Sequence, residues 1–414
     1  MFFAFLTSPF PSHLGQMALA VVELVRRDHR VEIWGDESSR QTAEKLGAGF
    51  RLVPLENGLT KGVTGYNQRP QDYYAGFAFP LVTQQLPRVL ELCEKLSPDV
   101  IHANSRIYTA VIASRLTGIP CSNHCCSGLS FGLIPEDLFG IPLNGDEPPR
   151  KRQIMIAMNR AFHTEIDGLF ERIVAKPLNI APVENILGIV SERCVLTLSC
   201  PELSNPRLAA FPQTVFTGPL MAGGPSRVTG GESEYCYVSL GTWPLDTQTT
   251  ISLYRTIIAG IPRKYRAIVG LGSRFDPAEL GIQDKRVTIL KYAPQEALIR
   301  NAAAIVCHGG CQTIHEALYF GKPLVILPPS LAEPLELSRN VVRAGAGIIL
   351  DYRSAVSDNV RQAVETVLFD ESFRRSAESL SRSLQKAGGL DLAAKSLERL
   401  AVNPIRPTRQ QTME

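Results

Sequence analysis

The chain has 414 residues, of which 44% are hydrophobic and 20% charged, with a formal net charge of +3. That length exceeds what a single hydrophobic core fills, so two domains are expected, and the composition is that of an ordinary globular protein. A charge this small, with no long Lys/Arg run, gives no electrostatic footprint for a nucleic-acid partner.

In chain order, Phe2–Thr7 is a short apolar run, followed by a Pro/Ser/His/Gly loop. Gln16–Arg27 then has helical spacing and Arg30–Trp34 is strand-like. This is a βαβ seed of a parallel sheet with right-handed crossovers. The first 22 residues carry no charged side chain. No positive segment precedes them, however, and Pro9, Pro11, Ser12, His13 and Gln16 interrupt them, so they read as folded chain rather than as a signal peptide. The alternation continues through helix Thr83–Leu96, strand Val100–Ala103, helix Ile107–Thr117 closed by Gly118, and strand Pro120–Ser122. Residues 128–190 are less regular, with Pro135, Pro142, Pro148 and Pro149 ahead of a helical stretch Lys151–Leu169. Such a segment in an α/β domain is where a binding wall is expected.

Glycine and proline cluster from Gly218 to Gly231, which reads as a linker. A second β/α series follows. Its strands are Tyr235–Leu240, Arg266–Leu271, Val287–Leu290, Ala304–Cys307 and Leu324–Leu327. Its helices are Thr249–Ala259, Gln295–Ala302, Thr313–Phe320 and Leu335–Ala344. The expected architecture is α/β, with two Rossmann-like β/α/β domains facing across a cleft and ligands beyond the carboxyl ends of the strands. The boundaries read as 1–217, linker 218–234, 235–388, a final helix over 389–403, and a tail over 404–414. No run of ~18 clean apolar residues occurs, so no membrane span is expected.

The nine cysteines are odd in number and scattered, which is no disulfide framework. A reducing, cytoplasmic compartment is expected. Cys121, His124, Cys125 and Cys126 lie close in sequence, but adjacent cysteines rarely chelate one ion and no second CxxC exists, so no metal site is expected.

Residues 308–323 carry the chemistry. An apolar strand ends at Cys307, and Gly309-Gly310 lets the backbone turn tightly and approach a ligand. A helix is expected to start near Thr313, turning its N–H groups and positive dipole end toward that space. This arrangement binds a diphosphate without a lysine. Glu316, placed in the first turn, can accept hydrogen bonds from ribose hydroxyls.

The pattern His308-Gly309-Gly310, then Glu316-Ala317, then Gly321-Lys322-Pro323 resembles the nucleotide-binding motif of the UDP-glycosyltransferases, inverting enzymes of GT-B fold. The resemblance extends to Pro294-Gln295, where the backbone from Ala293 meets the base in that family. It also includes Ser239-Leu240-Gly241-Thr242, a loop near the phosphates and sugar. It implies that Cys311, Gln312 and Thr313 sit at the diphosphate. The family's sugar-contacting Asp-Gln falls on Glu333-Pro334. Glu333 can hold sugar hydroxyls, but Pro334 has no side-chain donor, and a deoxysugar with fewer hydroxyls would fit that loss.

In the first loop, His13 matches the family's catalytic histidine. Imidazole, with a pKa near ~6.5, can take the acceptor's hydroxyl proton at neutral pH. The aspartate that orients it in many relatives is replaced by Asn104, within Pro98-Asp99-Val100-Ile101-His102-Ala103-Asn104-Ser105. The resemblance covers nearly the whole chain and is nearest to bacterial enzymes acting on secondary metabolites, of macrolide and carotenoid type. It implies an N-terminal acceptor domain, a C-terminal nucleotide-sugar domain, and a final helix packed back on the first domain.

The expected activity is transfer of a sugar from a UDP- or dTDP-sugar to a hydroxyl of a small hydrophobic acceptor. No metal or other cofactor is expected, since no Asp-x-Asp is present. A homodimer is left open. The alternative is a nucleotide-sugar-binding helper protein with impaired catalysis, motivated by Asn104 and Pro334. An epimerase would need further carboxylates near the phosphate site, and a dinucleotide oxidoreductase would need a G-x-G-x-x-G after the first strand, which is absent.

Overall fold

The computed structural model describes residues 1–9, 14–56, 59, 70–125, 148–188, 194–204, 211–221, 234–241, 246–272, 275–328 and 332–403. The chain divides into two compact units. Unit 1 comprises Met1–Leu198, Asn205–Ala222 and Gly388–Glu414; unit 2 comprises Ser199–Ser204 and Gly223–Ala387.

In unit 1, Phe2–Leu6 (β1) is buried at all five positions. A strand apolar on both faces belongs inside a parallel sheet covered on both sides. Its neighbours are Arg30–Gly35 (β2) and, past Gly49–Leu52 (β3), Val100–Asn104 (β4). Cys121–Cys125 (β5), Val195–Thr197 (β6) and Thr214–Phe216 (β7) complete a parallel sheet of order β3-β2-β1-β4-β5-β6-β7. Strand order reverses between β1 and β4, which places a topological switch point at their carboxyl ends. Helices Ala18–Arg26 (α1), Phe79–Leu96 (α2), Tyr108–Thr117 (α3) and Pro149–Phe170 (α4) form the flanking layers. The core packs aromatic rings against β1 and β4, among them Trp34, Tyr74, Phe79 and Phe170.

Unit 2 repeats the scheme. Tyr235–Ser239 (β8), Arg266–Gly270 (β9), Val287–Leu290 (β10), Ala304–Cys307 (β11), Leu324–Ile326 (β12) and Gly347–Ile349 (β13) form a parallel sheet of order β10-β9-β8-β11-β12-β13. The switch point lies between β8 and β11. The helices are Thr247–Gly260 (α5), Gln295–Asn301 (α6), Cys311–Tyr319 (α7), Ala332–Arg343 (α8), Ser357–Phe369 (α9) and Glu371–Lys386 (α10). Two sequence expectations change. The helix expected from Thr313 starts at Cys311, so Glu316 lies in its second turn rather than its first. The helix expected from Leu335 starts at Ala332, so Glu333-Pro334 lies within helical backbone. Proline is tolerated there because the first-turn N–H groups have no intrahelical acceptor to lose.

Two segments join the unit distant from them in sequence. Ser199–Ser204 is held on unit 2 by three side chains. The His315 Nε2 and Ser199 Oγ are 2.8 Å apart, Asn340 Nδ2 donates to Leu203 O at 2.8 Å, and Ser383 Oγ donates to Glu202 Oε1 at 2.8 Å. Gly389–Val402 (α11) packs on α1 in unit 1. Arg27 there donates to Asp391 at 2.8 Å and to Glu398 at 3.1 Å, and Gly389 N donates to Thr217 O at 2.8 Å.

Candidate functional site

In unit 2, the switch point gathers residues from the ends of β8 and β11. After β11 the chain passes His308 and Gly309 to Gly310, the extended N-cap of α7 (φ −60°, ψ 133°). Gly310 has no side chain to cap the helix, so the first-turn N–H groups and the positive dipole end face outward, as an anion site needs. The His308 ring lies between two glycines. A Cβ on Gly310 would fall 2.6 Å from His308 Cε1 and 2.7 Å from Nε2, and a Cβ on Gly241 would fall 2.6 Å from Cε1. Gly241 also has a φ of +64°. Gly310→Ala should therefore displace the His308 ring and weaken nucleotide binding at least tenfold, about 1.4 kcal/mol, measurable by calorimetry. Wild-type affinity would mean that the packing of His308 is irrelevant to the site.

Glu316 lies on the inner face of α7 and is 7% exposed. Each of its oxygens accepts one amide N–H, Oε1 from Gln312 Nε2 at 2.9 Å and Oε2 from Gln295 Nε2 at 2.9 Å. Burial raises its pKa above the usual carboxylate value, and the two amides offset part of that effect. A carboxylate oxygen offers about two acceptor sites, so both oxygens can still receive hydroxyl donors such as those of a ribose diol. The Tyr237 hydroxyl lies 3.5 Å from Gln295 Oε1, which leaves the Gln295 amide group facing Glu316. Tyr237 was not among the residues marked from sequence; an apolar strand position gave no signal for it. Pro294 is the N-cap of α6 and is exposed, while Ala293 is half-buried beside Gly270. Cys311 and Thr313 occupy the first turn of α7.

In unit 1, Asn104 ends β4 and is buried at the other switch point. Its Oδ1 accepts Arg106 N–H at 3.0 Å. Its Nδ2 donates to His124 Nε2 at 3.2 Å and lies 3.4 Å from Gln16 Oε1. His124 Nδ1 is 3.0 Å from His102 Nε2. These side chains share a face because positions two apart on a strand, and residues paired across a parallel ladder, point the same way; Asn104 pairs with His124. Thr7, Leu14, Met17, His102, Asn104 and His124 line one cavity. Burial pushes His102 down to about 3, so it is neutral at any working pH.

The same alternation sends Cys121 and Cys125 to the opposite face of β5 from His124. Cys121 contacts Asn123 Oδ1 and Cys125 contacts Thr197 Oγ1. Among the described residues no group of three or more His, Cys, Asp or Glu side chains could hold a metal ion. His13, Thr242 and Cys126 lie outside the described residues, as does the side chain of Glu333. The structure thus brings together Gly241, His308 and Gly310, and separately Gln295, Gln312 and Glu316. Asn104 belongs to unit 1.

Residues 274–387 match the family model described as the C-terminal domain of erythromycin biosynthesis protein CIII-like proteins. The chain is 25% identical over 396 residues to 4'-demethylrebeccamycin synthase of Lentzea aerocolonigenes, covering 89% of this chain and 92% of that one. It is 27% identical over 165 residues to the NDP-glycosyltransferase YjiC of Bacillus subtilis, covering 39% and 40% of the two chains. The fold is similar to that of the calicheamicin glycosyltransferase CalG4, with a TM-score of 0.76 at 18% identity over 98% of this chain and 99% of that one. It is also similar to the glycosyltransferase VinC, with a TM-score of 0.69 at 18% identity over 97% and 100% of the chains. Two parallel-sheet units of this order, with a glycine turn opening a helix at the second switch point, have the GT-B architecture, and the relatives make the chain a glycosyltransferase. The family model, the relatives and the solved structures agree on a glycosyltransferase similar to the UDP-glycosyltransferases of bacterial secondary metabolism. No helix among the described residues is long and apolar enough to cross a membrane.

Proposed function

We propose that the chain transfers a sugar from a UDP- or dTDP-sugar to a hydroxyl of a small hydrophobic natural product, with inversion at the anomeric carbon. The observation that carries this reading is the buried Glu316 carboxylate, held by Gln295 and Gln312 on the helix whose N-terminus follows Gly309-Gly310. A ribose diol on Glu316 and a diphosphate at the start of α7 are the two contacts a nucleoside diphosphate needs. VinC, in complex with dTDP, supports a thymidine donor, and 4'-demethylrebeccamycin synthase supports a natural-product acceptor.

In the reaction, His13 takes the proton of the acceptor hydroxyl as its oxygen forms the new bond to the anomeric carbon. The bond from that carbon to the diphosphate oxygen breaks, and the diphosphate leaves with the electron pair. The α7 N-terminus and its backbone N–H groups stabilise the charge that develops there. The transition state has oxocarbenium character, as in glycoside hydrolysis. A single displacement inverts the centre. Asn104 orients the base by accepting a hydrogen bond, and supplies no charge. His13 is the chain neighbour of Leu14, which lines the same cavity as Asn104.

The second reading, a binding protein without catalysis, is favoured by the amide at Asn104 where a carboxylate would stabilise an imidazolium. A panel of UDP- and dTDP-sugars in a thermal-unfolding assay tests binding, since a ligand raises stability by RT ln(1 + [L]/Kd). The productive donor, mixed with a phenol and an aliphatic alcohol in EDTA, then tests transfer. We expect one nucleotide class to stabilise the protein, and turnover in EDTA to give a product of inverted anomeric configuration. Binding without turnover supports the second reading. Activity abolished by EDTA and regained with Mg²⁺ or Mn²⁺ would overturn the metal-free mechanism.

A further inference from the structure

The buried polar chain beneath Asn104 has a direction that can be read from one backbone group. The Arg106 N–H can only donate, so the Asn104 atom facing it at 3.0 Å is the carbonyl oxygen, Oδ1. The amide nitrogen then faces His124 Nε2 at 3.2 Å and can only donate to it. His124 Nε2 must therefore be unprotonated, and neutral His124 carries its proton on Nδ1. That proton points at His102 Nε2, 3.0 Å away, which must accept it. His102 in turn carries its proton on Nδ1, a fully buried atom with no hydrogen-bond partner among the described residues. Which ring nitrogen of a histidine is protonated is set by what the other nitrogen bonds, and here each assignment forces the next.

We propose that His124, backed by His102, is a positioning residue for sugar transfer: the two imidazoles hold the Asn104 amide so that Oδ1 is presented as an acceptor. An asparagine can replace an orienting carboxylate in one of its two flip states only. With Oδ1 forward it accepts an N–H, as a carboxylate does; with Nδ2 forward it repels one. Among the described residues Oδ1 has one hydrogen bond, from Arg106, and it keeps a second lone pair for another donor. An N–H on His124 Nε2 would face the Asn104 NH₂ and push it away from this orientation. His102, neutral through burial, keeps an acceptor on the far side that draws the His124 proton to Nδ1. The second amide N–H of Asn104 is directed to Gln16 Oε1, so neither amide proton competes for the site.

Stability does not account for the arrangement. β4 and β5 are buried at every position, and apolar residues at 102 and 124 would leave no unpaired donor at His102 Nδ1. The inference rests on the proposal that Asn104 orients the catalytic base.

Two measurements test it. In ¹⁵N-histidine-labelled protein at pH 7, long-range proton–nitrogen spectra should find His124 and His102 both in the Nδ1–H form, with a coupling across their shared hydrogen bond that assigns the pair. His124 in the Nε2–H or cationic form overturns the proposal without any variant. In kinetics, His124→Phe should lower kcat for transfer from UDP-glucose or dTDP-glucose to 2-phenylethanol roughly tenfold, with nucleotide affinity unchanged. In the Asn104→Asp background the same replacement should change kcat less than twofold, because a carboxylate accepts in either flip state. Equal losses in the two backgrounds would mark His124 as merely structural and overturn the proposal. Wild-type turnover by Asn104→Ala would instead defeat the role of Asn104, a separate outcome. If Asn104→Asp is inactive or His124→Phe does not fold, the tautomer measurement decides alone.

Discussion

His13→Ala should slow transfer to an aliphatic alcohol by ~10²–10⁴-fold, the loss expected of a missing general base, while nucleotide affinity stays at its wild-type value. Affinity survives because the residues assigned to the nucleotide belong to unit 2, and His13 belongs to unit 1. Asn104→Ala should cost less, since it removes an orienting hydrogen bond and leaves the imidazole in place. Asn104→Asp should raise the rate on the alcohol by adding a negative charge beside the imidazolium that forms as the proton moves. A phenol gives up its proton with little help, so all three effects should shrink on a phenolic acceptor. The measurement is turnover of the three variants on both acceptors, with calorimetric donor affinity in parallel. Wild-type turnover of the alcohol by His13→Ala would remove His13 from the mechanism and move the binding-protein reading ahead.

Glu316→Ala and His308→Ala should each weaken nucleotide binding by roughly 1–3 kcal/mol, the range for losing a hydrogen bond to a charged group. For Glu316 the loss comes from the ribose contact and from two amides, on Gln295 and Gln312, left without their acceptor. For His308 it comes from the hydrogen bond that its imidazole, packed between Gly241 and Gly310, would give a phosphate. Glu316 adds a pH signature. Its pKa is raised, by burial first, so the carboxylate is protonated at a pH above the ordinary value of 4.5. Nucleotide affinity should then decline on acidification earlier than an exposed glutamate would cause, and Glu316→Gln should remove that limb. Unchanged affinity in both alanine variants would sink the placement of the nucleotide.

Strands buried on both faces read as continuous apolar runs, which is why β1, β8 and β11 stand out in the sequence. β3 does not, because Gly49–Leu52 is short and partly exposed and has no such run. The start of α7 was misplaced by two residues for a related reason. Its N-cap is Gly310, whose extended backbone is invisible in sequence and which has no capping side chain to mark the boundary. The motif around His308 and Glu316 was legible because its spacing is local. The polar chain behind Asn104 was not. His124 stands among cysteines in sequence, and only the strand alternation separates it from them and the β4–β5 ladder joins it to Asn104. The docking of Ser199–Ser204 on unit 2 was hidden as well, because its partners His315, Asn340 and Ser383 lie more than a hundred residues away.

The return of α11 to unit 1 bears on how this protein could be recombined with its relatives. Unit 1 is not one stretch of sequence: its sheet ends at Phe216, and its last helix is written after Gly388. A chimera that takes residues 1–222 from another enzyme would set foreign side chains against Asp391 and Glu398, which here hold Arg27. It would also keep the native His315 and Asn340 facing a foreign Ser199–Leu203 segment. A graft that respects the architecture carries unit 1 as two pieces, with α11 travelling alongside the N-terminal sheet and Ser199–Ser204 staying with unit 2. The inheritable module is therefore defined by contact rather than by continuity along the chain.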